Sequence, residues 1–365
     1  MEFNRRDFGK LALAAAAAPS GTLLAAKPNS NFGGVQIGTI TYSYRGEPGV
    51  NDATQLLKMV VDSGISAIEL MPPDVEAYMG APQQPAGGRG GPGGPGGPGG
   101  RGGSGGFGGF GPGGPGGPGG GARGGSGRGP GGGGFGGGRA LTPEQIAFNE
   151  SLKKWRLSAS MDKAREFRKM YNDAGVSIYC HKLTPAQNAT DDEFDYFYTL
   201  AKTLGATSVT TELAAASDYT KKLGDFALKH GLVTAYHAHE QATVTAWDDV
   251  LAQSKGNAVN IDCGHYYAGT GLSPVPALEK LHDRIASAHL KDRTPTTKGP
   301  DGRTVTGANL PWGQGSTPLQ DILLTAKKNK WKFPFAVELE YQVPADSNAV
   351  IEVKKCVEYC RKILA

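Results

Sequence analysis

The sequence has no apolar run of the ~20 residues needed to cross a bilayer. The longest near the start, Leu11 to Ala18, ends at Pro19, which argues against a membrane anchor, and no cysteine follows it to accept a lipid. Arg5 and Arg6 precede this run in the layout of a twin-arginine export signal. We therefore expect residues 1–26 to be a signal peptide and the mature protein, starting near Lys27, to be periplasmic or otherwise extracytoplasmic, without stable membrane insertion.

Cysteine is also scarce, with four in 365 residues. Cys180 and Cys263 fall at the ends of predicted strands, and Cys356 and Cys360 are one helical turn apart on a predicted helix. This spacing does not resemble a disulfide framework. Free thiols are expected.

Acidic residues are absent from the tract between Gly87 and Gly138, where 35 of 52 residues are glycine. Such a composition cannot bury a core and predicts a disordered insertion. The formal charge of +4 is concentrated in the leader and in this tract, so the rest of the chain is close to neutral. Near-neutrality argues against a nucleic-acid partner.

No glycine-rich phosphate loop follows the first predicted strand, which continues as Thr39-Ile40-Thr41-Tyr42. An open dinucleotide-binding sheet is therefore disfavoured. Apolar β-branched runs instead alternate with amphipathic stretches eight times, which predicts a (β/α)₈ TIM barrel whose glycine-rich insertion follows strand two. The predicted strands are Val35 to Thr41, Ser66 to Leu70, Val176 to Cys180, Ser208 to Glu212, Val233 to His237, Ala258 to Cys263, Ala286 to Leu290 and Phe335 to Leu339.

The sequence has only seven histidines, and five of them fall at predicted strand ends together with acidic residues. The carboxyl ends of the strands meet at one mouth of a closed barrel, where barrel enzymes place their active sites. The strand-end residues, in chain order, are Glu69, His181, Glu212, His237, His239, Glu240, Asp262, His265, His289, Lys291, Asp292, Glu338 and Glu340.

Four short segments carry a resemblance to a known family: Tyr236-His237-Ala238-His239, Asp262-Cys263-Gly264-His265, His289-Leu290-Lys291-Asp292 and Val337-Glu338-Leu339-Glu340. In this order on successive strands, they resemble the metal-site segments of the xylose isomerase-like sugar isomerase/epimerase family. The likeness covers the chain outside the leader and the glycine tract. It implies a metal-dependent TIM-barrel enzyme acting on a sugar or a sugar-derived carbonyl compound.

The resemblance also implies ligands for one divalent ion, taken from strands five to eight: His237, Asp262, His289 and Glu338. Two imidazoles and two carboxylates suit Mn, Zn, Co or Fe better than Ca, with Mg as a further option. The ion would polarise a substrate carbonyl while the adjacent carbon loses its proton.

One departure from the family concerns proton transfer. Many relatives use a glutamate on strand five and another on strand eight, whereas here strand five carries His237. Glu338 keeps one half of the pair, and Glu212, His239 or Glu340 could supply the other. Residues expected at the substrate are His265, Lys291, Glu69 and Glu340. The alternative for Lys291 is a structural ion pair with Asp292 or Glu338.

The leading hypothesis is an isomerase or epimerase with a small carbohydrate substrate. A lyase of the same fold, acting on a 3-keto-glycoside or shikimate-type compound, is the second. A periplasmic sugar-binding protein without turnover is the third, although it would not need four metal ligands. The sequence leaves the sugar, its phosphorylation and the oligomeric state open.

Overall fold

A computed structural model describes residues 27–71, 74–83, 142–182 and 185–365. The predicted leader and the predicted disordered insertion, residues 87–138, lie outside these ranges. Chain contacts divide the protein into two units, one of Met1–Ala81 with Lys154–Ala365 and the other Pro82–Lys153. Within the described ranges, every helix is too short or too polar to cross a lipid bilayer.

The first unit contains a closed barrel of eight parallel strands, which confirms the predicted fold. Each strand pairs with the next along the chain, and the first strand pairs with both the second and the last. The strands are β1 Val35–Ile40, β2 Ala67–Leu70, β3 Ser177–Lys182, β4 Ser208–Glu212, β5 Val233–His237, β6 Asn257–Asp262, β7 Ile285–Leu290 and β8 Phe335–Val337. An antiparallel strand, Asn31–Phe32, pairs with β1.

Strands β4 and β5 have the predicted bounds, and each of the other six differs by one or two residues at one end or both. Strand β3 is longer than predicted because His181 and Lys182 continue its pairing with Val209 and Thr210 of β4. Strand β8 is shorter, although the amide of Glu338 still donates to the Leu290 carbonyl of β7 at 3.1 Å. That bond fixes Glu338 at the carboxyl end of the barrel.

The helices of the described ranges are α1 Ala53–Asp62, α2 Asp74–Met79, α3 Pro143–Ser158, α4 Asp162–Asp173, α5 Asp191–Leu204, α6 Asp218–His230, α7 Asp248–Gln253, α8 Cys263–Thr270, α9 Val275–Leu281, α10 Leu319–Asn329 and α11 Ala349–Leu364. Helix α5 begins with a capping box between Thr190 and Glu193 and ends at Gly205. Gly205 has φ 88°, a left-handed conformation that glycine adopts without steric cost. The chain can therefore turn directly into β4.

The core lies between the helices and the barrel wall and is built from branched aliphatic and aromatic side chains. All six residues of β6 are buried, as expected for a central strand of a parallel sheet. The four cysteines are free, as predicted, and all four are buried. After β7, two short antiparallel pairs that were not predicted join Asp292–Arg293 to Asn309–Leu310 and Thr297–Lys298 to Thr304–Val305.

Candidate metal centre and its surroundings

The carboxyl ends of β5 to β8 bring four potential ligands together. One donor atom from each of His237, Asp262, His289 and Glu338 lies within 4.8 Å of the other three. The strand register accounts for this, since Asp262 of β6 is paired with His289 of β7. All four residues are buried. We refer to these four residues as the ligand cluster.

The two histidines of the cluster have their outer nitrogens hydrogen-bonded to oxygens. Nδ1 of His237 donates to Oδ1 of Asn260 at 2.8 Å, and Nε2 of His289 donates to Oε2 of Glu69 at 2.9 Å. Asn260 faces His237 with its oxygen because its amide nitrogen donates to Ser287 Oγ at 2.7 Å. The inner nitrogens, Nε2 of His237 and Nδ1 of His289, are therefore the ones that can bind an ion.

Glu69 occupies a different place from the substrate contact expected of it. Its carboxylate is 0% exposed and lies behind His289, where it accepts hydrogen bonds from the Thr210 hydroxyl at 2.7 Å and from His289. The pairing of β2 with β3 shifts register between Ile68 and Glu69. The position of Glu69 suits the orientation of a ligand histidine rather than contact with substrate.

Asp262 supplies an oxygen without a hydrogen bond. Its Oδ1 caps helix α8 by accepting from the amide of His265 at 2.7 Å. Its Oδ2 is buried and accepts no hydrogen bond from any described residue, although the Lys291 ammonium lies 3.0 Å away. The Lys291 ammonium compensates the charge of this carboxylate, and the Oδ2 position that accepts no hydrogen bond is available to a metal ion. Together with two imidazoles and a second carboxylate, it fits a divalent transition metal or zinc.

Lys291 forms a buried ion-pair network at the cluster. Its ammonium lies 3.0 Å from Asp262 Oδ2, 3.0 Å from Glu338 Oε2 and 2.8 Å from Glu340 Oε2. Burial lowers the pKa of Lys291, but the three carboxylates outweigh burial and raise it. Of the two ion pairs considered from the sequence, the one to Glu338 forms. Asp292 instead accepts from the backbone amides of Gly313, Gly315 and Thr317.

The charges around His289 hold the ligand cluster together. Nδ1 of His289 lies 2.8 Å from Glu338 Oε2. Burial lowers the pKa of His289, but the carboxylates of Glu69 and Glu338 outweigh it and raise the pKa to about 10. The pKa of Glu338 is held well below its usual value, against the effect of burial, by Lys291 and His289. The cluster thus carries ionised carboxylates, as metal binding requires.

A second group lies at the outer side of His237. Glu212 is paired with Lys182 at 2.8 Å, and its other oxygen lies 3.6 Å from Nδ1 of His239. The side chains of Glu212 and His239 are 50% and 38% exposed, so both are accessible from the mouth. Burial raises the pKa of Glu212, but His237, Lys182 and His239 outweigh it and lower the pKa to about 2. Glu212 is therefore an anion that can orient His239.

Glu240 and Glu340 pair with different basic residues. Glu340 is part of the Lys291 network. Glu240 pairs with Arg293 at 2.6 Å, and Arg293 also contacts His265. Sequence reasoning did not identify Arg293 or Asn260. Asn260 could have been found from strand alternation, because it lies two residues before Asp262 on the same face of β6.

Two further histidines form a group with His237 that overlaps the ligand cluster. Donor atoms of His237, His239 and His265 also lie within 4.8 Å of one another. The His239 ring centre is 4.9 Å from that of His237 and 4.7 Å from that of His265. His237 belongs to both groups, and its Nδ1 is already bonded to Asn260. Its single free nitrogen therefore cannot bind two ions at once.

Comparison with known proteins shows the fold. No protein-family model matches the sequence, and no curated protein is similar to it. A sugar phosphate isomerase/epimerase from Parabacteroides distasonis superposes with TM-score 0.51 at 15% identity, covering 95% of this chain and 100% of its own. A xylose isomerase domain protein from Alicyclobacillus acidocaldarius gives 0.50 at 12%, covering 90% and 99%.

A probable 3-DHS dehydratase from Bacillus anthracis gives TM-score 0.51 at 12% identity, covering 89% of this chain and 99% of its own. All three likenesses extend over nearly the whole barrel. The structural neighbours are thus xylose isomerase-like TIM-barrel proteins, and they include both isomerase/epimerase and dehydratase names.

Proposed function

We propose that the protein is a divalent-metal-dependent isomerase or epimerase of a sugar or sugar-derived hydroxycarbonyl compound. The observation that carries the proposal is the buried ligand cluster, in which two histidines have their outer nitrogens bonded and Asp262 retains a buried oxygen without a hydrogen bond. In both imidazoles the nitrogen turned towards the two cluster carboxylates is the one that can bind an ion, and His289, whose Nδ1 is bonded to Glu338, would release its Nδ1 proton when the ion binds.

In the proposed reaction His237, Asp262, His289 and Glu338 hold the ion, whether Mn, Zn, Co, Fe or Mg. A bound divalent ion supplies Lewis-acid polarisation of the substrate carbonyl. Lys291 stays beside Glu340 and can neutralise negative charge that develops on a substrate oxygen. Abstraction of a proton from the carbon next to the carbonyl and its return to a neighbouring position, or to the other face, would give isomerisation or epimerisation.

Two groups are placed to transfer the proton. Glu338 lies in the cluster itself. His239 lies beside His237, has an accessible ring and has Glu212 3.6 Å from its Nδ1. The Glu212 carboxylate can orient the His239 imidazole as a general base, with Nε2 towards the substrate. We assign Glu338 to one face of the substrate and His239, supported by Glu212, to the other.

A lyase is the second candidate. It is favoured by His237, which occupies the strand-five position where two-carboxylate epimerases have a glutamate. Elimination needs one base beside the carbonyl and an acid at the leaving group, so an imidazole and a carboxylate suffice. The products distinguish the candidates, because a lyase releases a β-substituent and an epimerase changes only stereochemistry. A binding protein without turnover would exchange no proton.

The decisive experiment combines metal analysis with proton exchange. Purified protein is expected to contain one divalent ion per chain and to exchange solvent deuterium into a free or 3-oxidised sugar, followed by NMR. His289→Ala and Asp262→Ala are expected to lose the ion and the exchange. His282→Ala, at an exposed histidine, is the matched control. Full metal content in both cluster variants would contradict the proposal.

We also propose export by the twin-arginine route to the periplasm. The support is the leader sequence with Arg5 and Arg6. Replacement of both arginines by lysine is expected to retain the full-length chain in the cytoplasm, as measured by fractionation and immunoblotting. Export of the double variant at the normal rate would contradict this route.

A further inference from the structure

Arg293 contacts His265 in a way that determines which nitrogen of the imidazole carries the proton. Nη1 of Arg293 lies 2.6 Å from Nδ1 of His265. A guanidinium only donates hydrogen bonds, so Nδ1 must accept. The proton of the neutral imidazole is then on Nε2. His265 is thus bonded in the opposite sense to His237 and His289, whose outer nitrogens donate to oxygens.

Contacts with its surroundings hold the Arg293 guanidinium in the orientation that donates to His265. Its Nη2 donates to the carbonyl of Gly307 at 2.6 Å, and its Nη1 lies 2.6 Å from Glu240 Oε1. Its backbone amide donates to the Thr317 hydroxyl at 3.0 Å. The residue is buried. Three contacts of the guanidinium, with Gly307, Glu240 and His265, and one of the backbone, with Thr317, hold the residue in the orientation in which it donates to His265.

The nitrogen of His265 that carries the proton is the one without a hydrogen-bond partner among the described residues. Nε2 is buried and forms no hydrogen bond with any described residue, and its nearest acidic oxygen, Glu340 Oε2, is 3.8 Å away. The side chain is 8% exposed. The ring lies 4.7 Å from that of His239 and 6.1 Å from that of His237, so it adjoins the ligand cluster. A hydrogen-bond donor is therefore present beside the proposed substrate position without an acceptor.

We propose that Arg293 is a positioning residue that fixes His265, which the sequence already placed at the substrate, as an Nε2–H donor. This excludes His265 from metal coordination and directs its proton to a carbonyl or hydroxyl oxygen of the substrate. The second part rests on the proposed function. The first does not, because it follows from the guanidinium contact. The group of His237, His239 and His265 is accordingly not a second metal-binding site, and the protein binds one ion per chain.

The first test is spectroscopic and needs no substrate. In full-length protein labelled with ¹⁵N-histidine, two-bond proton–nitrogen correlation spectra distinguish the two tautomers, and the His265→Gln spectrum identifies the signals of His265. The wild type is expected to carry the proton on Nε2. Arg293→Met is expected to shift His265 towards the other tautomer, and Arg293→Lys to retain the wild-type form in part. A wild-type proton on Nδ1 overturns the proposal.

The second test uses zinc alone. Wild type, His265→Ala and Arg293→Met are each expected to bind one zinc per chain, with dissociation constants that agree within about threefold. Two zinc ions in the wild type, or loss of zinc in His265→Ala, would show that His265 is a ligand and would overturn the proposal. Arg303→Met, an exposed arginine on the hairpin after β7, is the matched control for Arg293→Met.

The third test uses the sugar into which the wild type exchanges deuterium fastest. His265→Ala and Arg293→Met are expected to lower kcat/KM by about 10²-fold or more, the usual effect of removing one donor at a developing oxyanion. His265→Gln, whose amide nitrogen lies near the position of Nε2, is expected to recover part of the loss. Unchanged kcat/KM in both variants overturns the substrate role. A wild type that exchanges no sugar contradicts the proposed function, while the tautomer and zinc results still decide the role of Arg293.

Discussion

The burial of His181, at the end of β3, predicts how strongly the free energy of unfolding depends on pH. The residue is 2% exposed, and both ring nitrogens lack a hydrogen-bond partner among the described residues. Burial lowers the pKa of His181 to about 4 from 6.5. An imidazole in this position stays neutral in the folded protein, whereas in the unfolded chain it binds a proton as soon as the pH falls below about 6.5.

The sign follows from proton linkage. Between pH 6.5 and 4 the unfolded state binds more protons, so the free energy of unfolding falls as the pH falls. With the two pKa values above, the loss between pH 7.5 and pH 4.5 is about 2 to 3 kcal/mol from this residue. His237 has a similarly lowered pKa, so the wild-type curve contains more than one such contribution. A difference between variants isolates His181.

The perturbation is His181→Phe, which retains a ring and removes the titration. Urea unfolding at pH 4.5, 5.5, 6.5 and 7.5 is expected to show a shallower pH dependence in the variant, by about 2 to 3 kcal/mol over this range. The slope is the readout, because a change in packing moves all four points together. His282→Phe, at an exposed histidine, is the control. Parallel curves for wild type and His181→Phe would refute the argument.

Four further outcomes are expected. Glu338→Gln should retain the ion while exchange falls by ~10²-fold or more; exchange at the wild-type rate would move the base to His239. Glu69→Leu should weaken zinc binding about 10- to 100-fold, as measured by chelator competition, and equal affinity would contradict its role behind His289. Gly264→Ala should lower the melting temperature and zinc affinity, because an added Cβ would lie 2.2 Å from Lys291 Cγ, and unchanged values would contradict the packing. Deletion of residues 87–138, a tract of mostly glycine, should leave the melting temperature and turnover nearly unchanged, and a large loss of either would contradict this prediction.

The barrel and the shared mouth of the strand-end residues could be predicted because they depend on chain order and strand ends. Strands such as β4 and β5 are short β-branched runs bounded by helix-ending glycines, so their limits are visible in the residues themselves. Parallel strands in a closed barrel must bring their carboxyl ends to one mouth. The strand ends thus predict which residues share the mouth, and the family resemblance selected His237, Asp262, His289 and Glu338 among them, which the structure brings within 4.8 Å of one another.

The remaining features depend on register and on hydrogen-bond direction, which the residue order does not reveal. The pairing of β2 with β3 shifts register between Ile68 and Glu69, and Glu69 lies behind His289, which residue order alone does not predict. The partner of His265 is set by Arg293, whose segment pairs with Asn309–Leu310 in a small sheet that was not predicted. A histidine that binds a metal and a histidine that donates to substrate are the same letter in a sequence, and only their neighbours distinguish them.

Closure of the barrel has a consequence for the order of events during biosynthesis. Glu338 directly follows β8, and β8 pairs with β1, near the opposite end of the chain, in register from Phe335 with Ile37 to Val337 with Thr39. The Thr39 hydroxyl donates to the Val337 carbonyl at 2.9 Å across this seam. A growing polypeptide that has not yet left the ribosome beyond β7 has three of the four ligands and an open seam. If the four residues hold an ion as proposed, its set of ligands is complete only after β8 has been synthesised and has paired with β1.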